Sequence, residues 1–271
     1  LAIDYRHTFK NGLHFGVTAS VADDKTEVTK WTYNTKIPSY GATGWWDKSA
    51  YKEGMVLGDI WGLQFDRFLT EDDFNADGSL KAGLPDQTKV FPAGYQFAPG
   101  DVLYKDLDNN GEIVKQTNTN DKGDLSVIGN ALPRLQFGLN LDAAWKGFDI
   151  SMFFQGVAKR KLWAAGNQVL PGFTTGEPFY KGAEDYWTPE NTDAFYPRPM
   201  DYKQSASGNY SVNDRYLLNM AYLRLKTFTV GYSLPKVWLS KFKVQGLRVY
   251  FTGENLFTID GVKPAIDPEI G

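Results

Sequence analysis

Residues 135–158 read LQFGLNLDAAWKGFDISMFFQGVA, and the period of this stretch decides the fold. Leu135, Phe137, Leu139, Leu141, Ala143 and Trp145 alternate with Gln136, Gly138, Asn140, Asp142 and Ala144. After Lys146-Gly147 the alternation resumes, with Phe148, Ile150, Met152, Phe154 and Ala158 set against Asp149, Ser151, Gln155 and Lys159. Successive side chains of a strand point to opposite faces, so one face of this hairpin is apolar and the other is wet. At roughly 3.3 Å per residue the 135–145 segment reaches about 36 Å. Tilted by about 45°, it covers about 25 Å, the height of the apolar band of an outer-membrane barrel. Pattern and length together predict a transmembrane hairpin.

The same alternation opens the chain. Leu1, Ile3, Tyr5 and Phe9 oppose Asp4, Arg6, Thr8 and Lys10, and beyond Asn11-Gly12 Leu13, Phe15, Val17, Ala19 and Val21 alternate with His14, Gly16, Thr18 and Ser20. Asn-Gly favours a tight hairpin turn because both residues tolerate positive φ. A fifth strand is expected over about 219–234, where Leu223 and Leu225 lie on one parity and Phe228, Val230, Tyr232 and Leu234 on the other. A parity switch inside a strand calls for a bulge, here near Lys226-Thr227. Pro235 ends that strand, and Leu247, Val249 and Phe251 mark a sixth.

Short links (Asn11-Gly12, Lys146-Gly147 and 235–243) alternate with long ones, 23–131, 164–218 and 259–271, the order in which barrels place periplasmic turns and outer loops. The 23–131 segment is too long for a bare loop, and 54–65 and 89–104 are candidates for further strands. Six to eight strands would leave unpaired backbone edges in lipid. The expected fold class is therefore all-β: an antiparallel transmembrane β-barrel segment, with residues 1–271 forming the C-terminal part of a single larger barrel domain.

Composition fits this reading. The formal charge is −3, which gives no basic face for nucleic acid. With no cysteine, disulfides, thiolate nucleophiles and Cys-ligated metals are excluded. Mean hydropathy is −0.40 with no run of about 18 apolar residues, which excludes a membrane-spanning helix but not a barrel, whose polar lumen dilutes the average. Trp145, Phe148, Tyr232, Phe251 and Phe257 fall near expected strand ends, where amphipathic rings suit a membrane interface.

Several stretches, in order along nearly the whole chain, resemble the SusC/RagA family of TonB-dependent outer-membrane transporters. They are Glu53-Gly54-Met55-Val56-Leu57-Gly58-Asp59-Ile60-Trp61-Gly62, Pro99-Gly100-Asp101-Val102-Leu103-Tyr104-Lys105-Asp106, Val127-Ile128-Gly129-Asn130, Tyr222-Leu223-Arg224-Leu225-Lys226, Gly253-Glu254-Asn255-Leu256-Phe257 and Asp267-Pro268-Glu269. The resemblance implies a 22-stranded plugged barrel that imports glycan oligomers or peptides. It also implies a SusD-like surface lipoprotein as partner, TonB as energy source, and membrane lipid or lipopolysaccharide around the wall. The plug and the TonB-contacting region are expected outside this chain, which would supply wall and outer loops.

Asp106-Leu107-Asp108-Asn109-Asn110-Gly111-Glu112-Ile113 follows the first half of a calcium loop. Oxygen ligands recur at alternate positions and glycine permits the sharp turn. The expected closing acid is replaced by Thr117. Relative to the family pattern 114–120 is an insertion, after which Asp121 or Asp124 could supply the late carboxylate. Asp106, Asp108, Asn110, Glu112, Asp121 and Asp124 are the candidate calcium ligands, against a bare Asx-rich turn as the alternative. A sugar would stack on aromatic faces, and Trp45, Trp46, Trp61, Trp163 and Trp187 lie in or beside the long loops. No enzyme is expected: His7 and His14 stand in no metal-binding motif, and neither a nucleophile elbow nor a phosphate loop is present. Two other readings remain open, a soluble β-sandwich carbohydrate-binding module and a passive porin-like barrel.

Overall fold

The computed structural model describes residues 1–31, 53–115, 122–164, 166, 168–172, 180–200, 208–263 and 266–269. Its frame is a six-stranded antiparallel sheet. In chain order the strands are β1 (Ala2–Thr8), β2 (His14–Ala22), β3 (Asp59–Gly62), β4 (Phe65–Phe68), β5 (Val102–Tyr104), β6 (Ser126–Asn130), β7 (Arg134–Trp145), β8 (Phe148–Lys159), β9 (Lys161–Leu162), β10 (Leu218–Asn219), β11 (Tyr222–Ser233) and β12 (Arg248–Asp260). The large sheet runs β1-β2-β7-β8-β11-β12, so each of its strands pairs with its sequence neighbour within the sheet. The segments 54–65 and 89–104 do hold strands, but only the short β3, β4 and β5, paired with β6 or with each other outside the large sheet. They add no crossing.

Register turns the sequence alternation into two surfaces. Tyr5, Val17, Leu141, Met152 and Phe228 lie side by side on one face, and the next rows run Ile3–Ala19–Leu139–Phe154–Leu225–Phe257 and His7–Phe15–Ala143–Ile150–Val230–Phe251. On the other face Asp4, Thr18, Asn140, Phe153, Thr227 and Glu254 form one row, and Arg6, Gly16, Asp142, Ser151, Thr229 and Thr252 the next. The bulge falls between Leu225 and Thr227. It has a purpose visible in these rows: the extra residue returns Phe228, Val230 and Tyr232 to the face already occupied by Leu223 and Leu225.

Both predicted turns exist, with one difference. Lys146 (φ 48°) and Gly147 (φ 88°) form a two-residue turn that matches the strand twist. At the first hairpin the Phe9 N–H donates to the Leu13 carbonyl (2.8 Å), so Lys10, Asn11 and Gly12 make a three-residue turn. Only Gly12 has positive φ there (83°), while Asn11 uses its side-chain oxygen to accept from the Leu13 N–H (3.1 Å). Trp145, Phe148 and Tyr232 sit at the turn end as expected, with the Phe148 and Tyr232 rings 4.4 Å apart. Phe251 and Phe257 lie within β12 instead, because that strand continues to Asp260.

The two buried core clusters lie off this sheet, whose own buried hydrophobic side chains are Val157, Tyr222 and Leu225 beside the loop end. Val249, Phe251 and Ile259 are each 61% exposed, and the apolar face carries no second layer among the described residues. Core residues gather in the long connections, all of which leave the sheet at the end opposite the short turns. One cluster holds Leu63, Phe68, Val102, Tyr104, Ile113 and Trp187; a second holds Ile60, Trp163, Leu170, Tyr196, Tyr216 and Met220. Buried polar groups tie the segments together: the fully buried Asp101 accepts from Tyr95 Oη (2.9 Å), Asn209 Nδ2 (3.0 Å) and Arg198 Nε (2.8 Å). A β-sandwich would hide its apolar face under a second sheet. Here that face stays bare while the loops build their own core.

Candidate functional site

The calcium-like segment leaves β5 and turns sharply, with Asn109 (φ 59°) and Gly111 (φ 86°) in the left-handed region. Asp106 Oδ2 accepts from the Gly111 N–H (2.8 Å) and Asp108 Oδ1 from the Asn110 N–H (3.1 Å), which curls the loop around its own carboxylates. Asp124 comes from the far end of the 106–124 segment. It is fully buried, and its two oxygens accept from the Leu107 and Val114 N–H groups at 2.8 Å each. Ile113, wholly buried in the first core cluster, anchors the loop from below. One oxygen each of Asp106, Asp108 and Asp124 comes within 4.8 Å of the others.

Three carboxylates so close repel unless a cation or a proton intervenes. Backbone donors, the Gly111 N–H foremost, hold Asp106 below the usual carboxylate range. Desolvation pushes Asp108 up, with the Asp124 charge adding to it. Hard oxygen donors on a glycine turn suit Ca²⁺, and each carboxylate oxygen keeps a lone pair beyond its hydrogen bond. The other candidates are placed differently. Glu112 is paired with Lys89 and stands apart from the three clustered carboxylates, while Asn110 lies beside them, its Nδ2 donating to Asp108 Oδ2 (2.9 Å) and its Oδ1 accepting from the Glu112 N–H (2.7 Å). Asp121 lies outside the described residues.

The tryptophans proposed as sugar platforms are mostly loop core. Trp163 (9% exposed) belongs to the second cluster and Trp187 (7%) to the first, against which Trp61 also packs. Their faces are occupied by neighbours. Trp45 and Trp46 lie outside the described residues. A groove of about 500 Å³ is lined by Tyr180, Tyr186, Tyr196 and Tyr210 with Lys181 and Glu184; Tyr180 (41% exposed) and Tyr186 (40%) are its open rings, while Tyr196 and Tyr210 are buried in the second cluster and form its wall. The density of Tyr and Pro between 171 and 210 was the available signal for it.

The segment 266–269 folds back over the polar face of the sheet near its loop end. Arg224 donates to Thr258 Oγ1 (2.7 Å), Asp267 (2.7 Å) and Glu269 (2.8 Å), and Lys226 Nζ reaches Glu269 (3.1 Å). Arg224→Ala is expected to weaken this clasp by about 1–2 kcal/mol, since both carboxylates remain partly in water. Faster proteolysis after residue 260, with the sheet intact, is the measurable result.

A sheet bare and apolar outside, polar inside, with its long connections gathered at one end, is a wall segment of an outer-membrane β-barrel together with its loop layer. Over 224 residues the chain is 30% identical to TonB-dependent receptor P3 of Formosa agariphila, covering 80% of this chain and 19% of that protein. It is 34% identical over 166 residues to TonB-dependent receptor P26 of the same organism, covering 60% of this chain and 16% of that one. Its whole length superposes on the RagAB peptide transporter (TM-score 0.66, 18% identity) and on the RagAB peptide importer in the 'open-open' state (TM-score 0.62, 17% identity), covering 26% of each of those chains. No protein-family model matches the chain. The chain belongs to the family of TonB-dependent receptors and shares its fold with the RagAB chains, and it spans no more than about a fifth of the length of these curated relatives.

Proposed function

We propose that the full protein, of which this chain is the C-terminal part of the barrel, imports peptides or glycan oligomers across the outer membrane. TonB supplies the energy and a SusD-like surface lipoprotein closes the outer side. The apolar face of the sheet, which no second layer covers among the described residues, carries this reading, because an amphipathic sheet whose apolar side is left bare by protein needs lipid there. Peptide is the first cargo to test. Of the candidate sugar platforms, Trp61, Trp163 and Trp187 pack in the loop core, whereas the groove offers the open rings of Tyr180 and Tyr186 for side chains and Lys181 and Glu184 for opposite peptide charges. Deleting the full-length gene is expected to stop uptake of a labelled peptide mixture, and depleting TonB is expected to do the same. Uptake that survives loss of TonB would favour the passive barrel, and unchanged uptake of peptides and oligosaccharides alike would overturn the importer.

Asp106, Asp108 and Asp124 are proposed to hold one Ca²⁺ that staples the 106–124 loop, leaving the chemistry of import untouched. Asp108→Ala is the clean test, because Asp108 is exposed and bonds only within its own turn. Bound calcium, measured by elemental analysis after dialysis, is expected to fall by about one equivalent per chain with the fold retained. Unchanged calcium content would remove the site.

A further inference from the structure

The three short connections gather at one end of the sheet, and their charge is of one sign. Lys10 lies in the first, Lys146 in the second, and Lys236, Lys241 and Lys243 in the third, with no carboxylate in any of them. The strand carboxylate beside the second turn, Asp149, is already engaged by Arg248 (3.0 and 2.5 Å).

The third connection has more structure than a turn requires. The Leu234 N–H donates to the Leu247 carbonyl (2.9 Å) and closes its base; Pro235 leads into α1 (Lys236–Leu239). A 3₁₀ turn follows and ends at Lys243 (φ 55°). Leu239 is turned inward (4% exposed), while Val237 (76%), Trp238 (59%) and Val244 (43%) project outward among the lysines. At the neighbouring turn the Lys146 ammonium lies 4.6 Å from the Trp145 ring centre. Leu234 and Leu247 share the parity of Tyr232 and Val249, so the apolar face runs without a break into this connection.

We propose that the 235–247 connection, with Lys10 and Lys146 beside it, docks on anionic phospholipid headgroups of the periplasm-facing leaflet. Trp238 and Val237 enter the headgroup boundary and the lysines reach the phosphates. An exposed tryptophan and valine among cations, continuous with a lipid-facing wall, fit an interface where one end is apolar and the other charged. Basic residues near such a surface concentrate anionic lipid. The inference rests on the barrel-wall reading above, and the experiment separates the two.

The full-length protein is reconstituted in nanodiscs of phosphatidylethanolamine and phosphatidylglycerol, with a spin label placed through Val237→Cys or, as reference, Val230→Cys. The label at 230 is expected to be accessible to oxygen and shielded from a soluble nickel chelate, and the label at 237 to show intermediate accessibility to both, as at headgroup depth. A lipid-exposed label at 230 with a water-exposed or protein-covered label at 237 overturns the docking alone. A label at 230 that is not lipid-exposed overturns the wall. In the triple variant K236Q/K241Q/K243Q, phosphatidylglycerol co-purifying with the protein is expected to fall about tenfold, while Lys81→Gln and Lys122→Gln in the outer loops leave it unchanged. Equal phosphatidylglycerol in the triple variant also overturns the docking.

Discussion

Leu141→Arg is expected to keep the full-length protein from accumulating as a folded barrel, whereas Phe148→Arg on the same face is expected to be nearly tolerated. Leu141 lies midway along β7 between Val17 and Met152, in the row that continues through Phe228. Phe148 begins β8 beside the turn, next to Trp145 and Tyr232. Arginine on the lipid face costs about 2–4 kcal/mol at the bilayer midplane and about 0–1 near the interface. The first figure is a large share of the 5–15 kcal/mol typical of native stability. Asn140→Arg, one residue away, turns to the polar face beside Thr18 and in the row that holds Asp4 and Glu254, where a new cation finds water and carboxylates. The readout is the folded fraction in outer-membrane extracts, followed by urea titration. A cost that falls from 141 to 148 is the signature of lipid depth. Equal costs at both positions would mean that the face is covered by protein, as in a sandwich.

The sheet was legible because each long strand repeats the same demand, apolar toward lipid and polar toward the lumen. Even the bulge near Lys226 could be read, since without it Phe228, Val230 and Tyr232 would face the lumen. The loop layer obeys no such period. Its core is assembled from residues far apart in sequence, such as Leu63, Tyr104 and Trp187. Loop tryptophans therefore read equally well as sugar platforms or as core, and the structure makes Trp163 and Trp187 core. The calcium-like loop was legible up to Ile113 because its spacing is local. Asp124 could be named only as one of two acids beyond the insertion, and its burial against Leu107 and Val114 became visible only once the chain had folded. Asn11-Gly12 signalled a turn correctly, but its length depended on the pairing of Phe9 with Leu13.

Asp101→Ala is expected to open the outer loop layer while the six-stranded sheet stays intact. The carboxylate has no exposed surface and gathers donors from three separate parts of the chain: the Ala98 N–H (2.9 Å) and Tyr95 hydroxyl (2.9 Å) nearby, Arg198 Nε (2.8 Å), and Asn209 Nδ2 (3.0 Å). Asn209 in turn accepts the Val102 N–H (2.8 Å), so the network also fixes the start of β5. Alanine would strand these donors and a guanidinium whose side chain is only 27% exposed. Breaking one partner of a buried ion pair costs about 3–5 kcal/mol. Because Arg198 can turn partly to water, the lower end applies, about a hundredfold in opening equilibrium. Hydrogen exchange at 98–104 and 209–213 is expected to accelerate by that factor, with β7 and β8 unchanged. Asp101→Asn keeps the shape and one acceptor oxygen and is expected to accelerate exchange less. If both variants left exchange in the loops unchanged, the layer would be held by its two apolar clusters, and the buried Asp101 network would contribute little to its stability.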